Sequence, residues 1–514
     1  MERAVSAGVA QATVLEALSR WAALTPDAVA VLIPESEPMT YSELEATVAR
    51  LAGELRARGL GRTDGIALVV SEGTELCVAV LAAMAVGIAV PLAWPAALRE
   101  YAAVLAGSGV RAVLASETVL SAESGFDECG VPLLTLRTNV REWTGSERVA
   151  GPMLDDPVAP DPPGADDIAL ILHSSGTTGT PKRVPRTHRA MAAACAAMVA
   201  ARAKTPADRC LSLARTTYSQ GLNALLCTVV SGGSLVTAAG LDARMLPEAI
   251  ARYRPTYIST GPAVLRGLAT DGFFADAIRR SPLKSIHSTA GALGAEELAD
   301  LEALFGVPIL NGYGLSEAPG IAGERFPREQ TVPGSVGKPW CEVEIHDAER
   351  RRVAAGARGE IVVRGPTVFP GYLDNPAANA AAFLPGGWFR TGDVGFLDEA
   401  GYLHLTGRFD ETINRGGEKI VPDEVDRALN DHPAVAEAAA FAVPDDHLGE
   451  DIAAAVVLAP GMLCSARDLR RWLAPRLSSF KIPRRIWFVE LLPRTRTGKM
   501  QRGELARMWS ETRR

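Results

Sequence analysis

The chain has 514 residues, 47% of them apolar, and a formal net charge of −7. That length predicts two or more domains, and the acidic balance argues against a general nucleic-acid-binding surface. Seven cysteines, at 77, 129, 195, 210, 227, 341 and 464, are odd in number and show no metal-ligand spacing; reduced, structural thiols in a cytoplasmic protein are expected.

The N-terminus shows no basic segment followed by an apolar run, so no signal peptide is expected. Thr40 with Glu43 three residues later forms a predicted capping box, opening a helix that should run to about Arg58, before Gly59. Residues 66–70 read as a strand. The apolar stretch 77–93 is broken by Gly87 and Pro91, which predicts a core helix followed by a strand and no membrane span. A polar connection at 155–167 precedes a short apolar run, 168–173, that suits a buried strand. Residues 188–204 are alanine-rich without Gly or Pro, hence helical. Beyond 330 the texture changes to short strands, at 342–345 and 359–364, and a β-rich subdomain is expected. After Asp410 the pattern returns to mixed α and β. The alternation as a whole predicts an α/β fold.

Between the strand at 168–173 and the helix from 188 lie Ser174, Ser175, Gly176, Thr177, Thr178, Gly179, Thr180, Pro181 and Lys182. Glycine lets backbone approach a bulky anion, and hydroxyls, N–H groups and a lysine supply donors. That is the chemistry of a loop holding a nucleotide's phosphates, although a lone loop of this kind is as a rule a polar turn. It is not a Walker A motif, because Thr180 and Pro181 separate Gly179 from Lys182.

Four further clusters follow in order: Asn311-Gly-Tyr-Gly-Leu-Ser-Glu317, Trp388-Phe-Arg-Thr-Gly-Asp393, Gly407-Arg-Phe-Asp-Glu-Thr-Ile-Asn-Arg-Gly-Gly-Glu-Lys-Ile420 and Pro493-Arg-Thr-Arg-Thr-Gly-Lys499. With the hydroxyl loop, this ordered set resembles the adenylate-forming superfamily of acyl-CoA synthetases, peptide-synthetase adenylation domains and firefly luciferase. The resemblance runs from about residue 13 to 508 and is nearest to acid–thiol ligases. It implies a large N-terminal domain of α/β layers with a β-rich subdomain, residues 1–409. A small mobile α+β domain, 410–514, would follow, with its hinge at Asp410.

The resemblance also implies a reaction. A carboxylic acid attacks Mg-ATP to give an acyl-adenylate and pyrophosphate, and a thiol then displaces AMP. The barrier is electrostatic, so positioned cations and donors lower it. By resemblance, the 174–182 loop would hold the β- and γ-phosphates and Glu317 would ligate Mg²⁺. Ser316, where threonine is usual, would serve the α-phosphate. Asn311, Gly312, Tyr313 and Gly314 would border the nucleotide, with Tyr313 against the adenine and Gly291, Ala292 and Leu293 on its other side. Asp393 and Arg408 would hold the ribose. Lys499 would bridge the acyl carboxylate and α-phosphate.

The pattern departs at the acid pocket. Arg215 and Tyr218 stand where acyl-CoA synthetases often have proline and histidine, before Gly221 and Leu222; Ala318 follows Glu317. No acidic residue lies between Asp208 and Asp242, which disfavours an α-amino acid. Tyr218 would favour a small or medium acid, and Arg215 would form a structural ion pair or, less in keeping with its type, meet a second substrate carboxylate. Residues 480–514 hold ten Lys/Arg against three Asp/Glu, a local charge of 10 − 3 = +7. Such a surface suits the phosphates of coenzyme A or the phosphopantetheine of an acidic acyl-carrier protein, and equally a solvated basic face. A carrier is expected in trans. A nucleotide-binding homologue without catalysis is the remaining alternative, and retention of Glu317, Asp393, Arg408 and Lys499 opposes it.

Overall fold

The computed structural model describes residues 13–33, 37–94, 101, 104–105, 109–122, 130–137, 148–154, 161–174, 182–238, 241–270, 272–289, 293–328, 330, 332–408, 411, 413–415, 418–445, 447–495 and 500–512. It divides into two compact units. The first comprises Met1–Thr331, Gly337–Glu342 and Arg364–Gly387; the second comprises Val332–Val336, Val343–Val363 and Trp388–Arg514.

The first unit holds two large sheets with helices against them, the α/β layering expected from the sequence. In the nine-stranded sheet, Ser234–Thr237, Arg209–Ser212, Tyr257–Thr260, Ser285–Ser288 and Ile309–Tyr313 lie side by side and parallel. Leu211, Val236, Ile258, Ile286 and Ile309 join one buried cluster with Ile250, Leu265, Phe274 and Phe305 of the covering helices. Nearly every position of these strands is buried, with apolar residues at their centres. Their C-terminal ends turn polar: Ser212, Thr260, Ser288 and Asn311 end or nearly end their strands, with Thr260 opposite Ser288 and Ser288 opposite Asn311. The crevice beyond such ends is where open α/β sheets bind ligands.

The helix Tyr41–Ala57 starts at the expected capping box, with Thr40 and Glu43 satisfying each other's backbone N–H groups. Tyr41, Leu44, Val48, Leu51 and Leu55 form its buried stripe. The helix Thr74–Val86 is buried along nearly its whole length and is followed by the strand Ile88–Pro91. Among the described residues no helix is long and apolar enough to cross a membrane.

The helix expected from 188 is present as His188–Ala201. Between it and the hydroxyl loop, where the sequence suggested no element, Lys182–Thr187 is a strand, antiparallel to Ile168–Ser174, at the edge of the seven-stranded sheet. Pro185 masks it in the sequence, because proline lacks a ladder donor and is tolerated in edge strands.

The second unit contains the β-rich part, with Gly359–Arg364, Trp388–Leu397 and Leu403–Arg408 paired in order. It also contains a sheet built on the long antiparallel pair Val435–Asp445 and Gly449–Leu458. Helices Pro422–Asn430 and Ala466–Leu473 share one core with it, and Arg502–Glu511 shares another.

Candidate functional site

In the first unit the hydroxyl loop is closed at its base by the pairing of Ser174 with Lys182. Residues 175–181, which include Ser175, Gly176, Thr177, Thr178 and Gly179, lie outside the described residues. The Lys182 ammonium sits 4.8 Å from the ring centre of Tyr372. That tyrosine's hydroxyl donates to Glu317 Oε1 at 3.0 Å. Glu317 is also held through its main chain, whose carbonyl accepts from Phe369 N–H at 2.8 Å. One aromatic segment, 369–372, thus brings together the cation at the end of the loop and the carboxylate expected to ligate Mg²⁺. Tyr372 is not among the residues read from the sequence; nothing in the spacing of a single chain marks it. His173, one residue before the loop, is pushed down to about 4 by burial and the nearby Arg183 charge.

Asn311, Gly312 and Tyr313 end the strand Ile309–Tyr313. Asn311 donates its N–H to Glu324 at 2.7 Å, and its carbonyl accepts from Arg202 at 2.8 Å. Burial pushes the Glu324 carboxyl up and the Arg202 guanidinium down, to about 10. Glycine is required at 314, where a Cβ would come within 2.7 Å of Gly320 N. Leu315 N–H closes a turn onto Ala318 O at 3.0 Å. That turn presents Ser316 and Glu317, while Ala318 is fully buried. Leu293 belongs to the apolar core; Gly291 and Ala292 lie outside the described residues.

The acid-pocket candidates lie where the strand Arg209–Ser212 gives way to the helix Ser219–Ser231. Arg215 donates to the carbonyl of Trp94 at 2.5 Å, and Thr216 N–H donates to both oxygens of Glu72, at 3.0 and 3.1 Å. Burial pushes the Glu72 carboxyl up, and these N–H bonds and the Arg215 charge oppose that shift. Arg215 therefore has a structural setting, between a carbonyl and a half-buried carboxylate. Gly221 seats the first helical turn against the preceding loop: a Cβ there would lie 2.2 Å from Arg215 O. Tyr218 occupies the N-cap position without a side-chain capping bond.

In the second unit Asp393 and Arg408 face each other across paired strands, with Arg408 Nη1 donating to Asp393 Oδ1 at 2.9 Å. The Asp393 N–H is taken by Thr391 Oγ1 at 3.0 Å. Asp410 and Lys499 lie outside the described residues. The flanks of the Lys499 segment meet, through a bridge between Arg494 and Met500 and a Gln501 N–H bond to Pro493 O at 3.0 Å. Arg502, three residues on, pairs with Glu411 at 2.8 Å, with Asp426 at 2.7 Å, and with Asp423. Lys481, Arg494 and Arg507 of the basic tail are also in ion pairs. Four of the tail's ten cations are thus shown paired, all within the second unit.

The model of the AMP-binding enzyme family matches residues 18–373, and that of the AMP-binding enzyme C-terminal domain matches residues 424–499. The chain belongs to this family. It is 32% identical to the sulfoacetate–CoA ligase of Cupriavidus necator over 502 residues, 94% of this chain and 95% of that one. With the oxalate–CoA ligase of Arabidopsis thaliana it shares 37% identity over 352 residues, 67% of this chain and 68% of the relative. The ATP-bound crystal structure of MatB from Rhodopseudomonas palustris superposes with a TM-score of 0.87 at 26% identity, covering 97% of this chain and all of that one. This AMP-binding enzyme thus has the α/β architecture and membership of the adenylate-forming superfamily that its motifs imply.

Proposed function

We propose that this AMP-binding enzyme is an AMP-forming acid–coenzyme A ligase. It activates a carboxylic acid with ATP, releases pyrophosphate, and passes the acyl group from the adenylate to the thiol of coenzyme A. The observation that carries this reading is the convergence of Lys182, Tyr372 and Glu317, which sets a cation and a carboxylate at the base of the hydroxyl loop.

The residues present suit magnesium: Glu317 offers a carboxylate oxygen already oriented by a phenol, and Mg²⁺ prefers such hard ligands. When bound, the ion would neutralise phosphate charge. Lys182 and the 174–179 hydroxyls and N–H groups would hold the leaving pyrophosphate, and Ser316 would donate to the α-phosphate. Tyr313, flanked by Gly312 and Gly314, would cover the base. Asp393, a carboxylate acceptor steadied by Arg408, would take the ribose hydroxyls. Lys499 would stabilise the charge passing between acid and α-phosphate, and rotation at Asp410 would exchange it for the 415–419 segment before thiol transfer. The domain boundary at 410 belongs to this proposal.

Coenzyme A is favoured over a carrier protein because the relatives described above are named as CoA ligases. The test is AMP release with an acid panel, in the presence of coenzyme A or of a phosphopantetheinylated carrier. Acid- and CoA-dependent release is expected; release with the carrier alone would reassign the acceptor, and no release with any acid would reject the ligase reading.

A further inference from the structure

The turn that leads into the helix Ser219–Ser231 belongs to one sheet and is held by the other. It leaves the C-terminal end of the strand Arg209–Ser212 in the nine-stranded sheet, and Tyr218 N–H closes it onto Arg215 O at 3.1 Å. Thr216 and Thr217 are 2% and 7% exposed, so their backbone N–H groups need a partner within the protein. Their strand has ended and their helix has not begun. Glu72 supplies the partner: both its oxygens accept from Thr216 N–H, and it lies against Thr217 N–H as well.

Glu72 follows the strand Gly65–Val69 by three residues. Trp94, whose carbonyl accepts from Arg215 at 2.5 Å, follows Ile88–Pro91 by three. These strands lie side by side and parallel in the seven-stranded sheet, and Ile88–Pro91 also pairs in parallel with Ile168–Ser174, which ends in the hydroxyl loop. The turn is thus tied at two points to the end of the sheet from which the hydroxyl loop springs. Each tie joins a charged group to a neutral one, the stronger kind of hydrogen bond. Gly221 seats the helix start directly on this turn. Tyr218, half-buried, is both the last residue of the turn and the N-cap of the helix.

Resting on the acid–CoA ligase reading, we infer that Glu72 and Arg215 are positioning residues that set the depth of the acid pocket. They pin the turn carrying Tyr218 at a fixed distance from the hydroxyl loop, across the crevice at the C-terminal strand ends, and thereby select the acid by its length. Both oxygens of Glu72 face the turn, and Arg215 holds a carbonyl. Each therefore acts through Tyr218, the residue expected to fill space in the pocket, and not on the acid itself. A pocket wall placed to within a methylene is enough to discriminate homologues; a wall on an untied turn is not so placed.

The test is acid-dependent ATP–pyrophosphate exchange with straight-chain acids from acetate to octanoate, dicarboxylates from oxalate to adipate, and benzoate against cinnamate. The parent should prefer its best acid over a homologue differing by two carbons by about tenfold or more in kcat/KM. In Glu72→Gln, which keeps the shape and removes the charge, and in Arg215→Met, that preference should fall about tenfold. The KM for ATP should stay within about twofold in both. Tyr218→Ala should lose the preference as well, and adding Glu72→Gln to it should change the ratio by less than about twofold, because both act through one wall. A merely structural role would raise the KM for acid and for ATP together, or give additive losses in the double variant. Either result would overturn the inference and leave the ligase reading standing, as would a parent indifferent to acid length. Silence of the parent with every acid would overturn the ligase reading and this inference with it.

Discussion

A single phenol, Tyr372, joins two parts of the proposed site, touching Lys182 with its ring and Glu317 with its hydroxyl. Tyr372→Phe keeps the ring and removes the bond to the carboxylate. A hydrogen bond to a charged group contributes enough that half-maximal activity should need about tenfold more Mg²⁺; titrating Mg²⁺ at fixed ATP measures it. His173 supplies a pH dependence. Its ordinary value of 6.5 falls to about 4 in the fold. The stability of the neutral ring is therefore fully present above 6.5 and lost as pH drops towards 4. That loss amounts to about 3 kcal/mol, and urea unfolding of His173→Phe between pH 7 and 4 should show a correspondingly shallower decline than the parent. Residues of this scale divide sharply by legibility. Glu317, Asp393 and Arg408 stood out as candidates because each sits in an ordered motif. Tyr372 and Glu72 were not, because the partners that give them their setting lie 55 and 144 residues away.

Elements were most legible where one local rule dominated. The Thr40–Glu43 capping box set the start of its helix within a residue, and the apolar run with Gly87 and Pro91 resolved into helix and strand as expected. The strand Lys182–Thr187 was missed because its partner across the loop, and not its own composition, makes it a strand. The helix Arg502–Glu511 carries a cation that outweighs its length. Arg502 is about one-tenth exposed and answers three carboxylates, while burial pushes Asp426 up to about 7. Arg502→Ala would leave those carboxylates facing one another without a counter-charge. A loss of about 3–5 kcal/mol is expected, the range for breaking one side of a buried pair, and thermal unfolding of the full chain should show it.

For the molecule as a whole, the prediction concerns two half-reactions. If Lys499 serves only the first, Lys499→Ala should lower acid-dependent ATP–pyrophosphate exchange by about a hundredfold or more. Thioester formation from supplied acyl-adenylate and coenzyme A should stay near the parent rate. Equal losses in both would mean that the lysine holds the nucleotide in either step. Motif order across the chain made this architecture readable; the acid was not, because its pocket lies where the pattern fails.

The interleaving of the two units along the chain has a consequence for synthesis. Every segment of the first unit has been translated by Gly387, whereas the second still lacks Trp388–Arg514. On a ribosome adding about 5–20 residues per second, the first unit has several seconds to collapse while 332–336 and 343–363 wait for their partners. Those two stretches are where a nascent-chain chaperone would have most to shield.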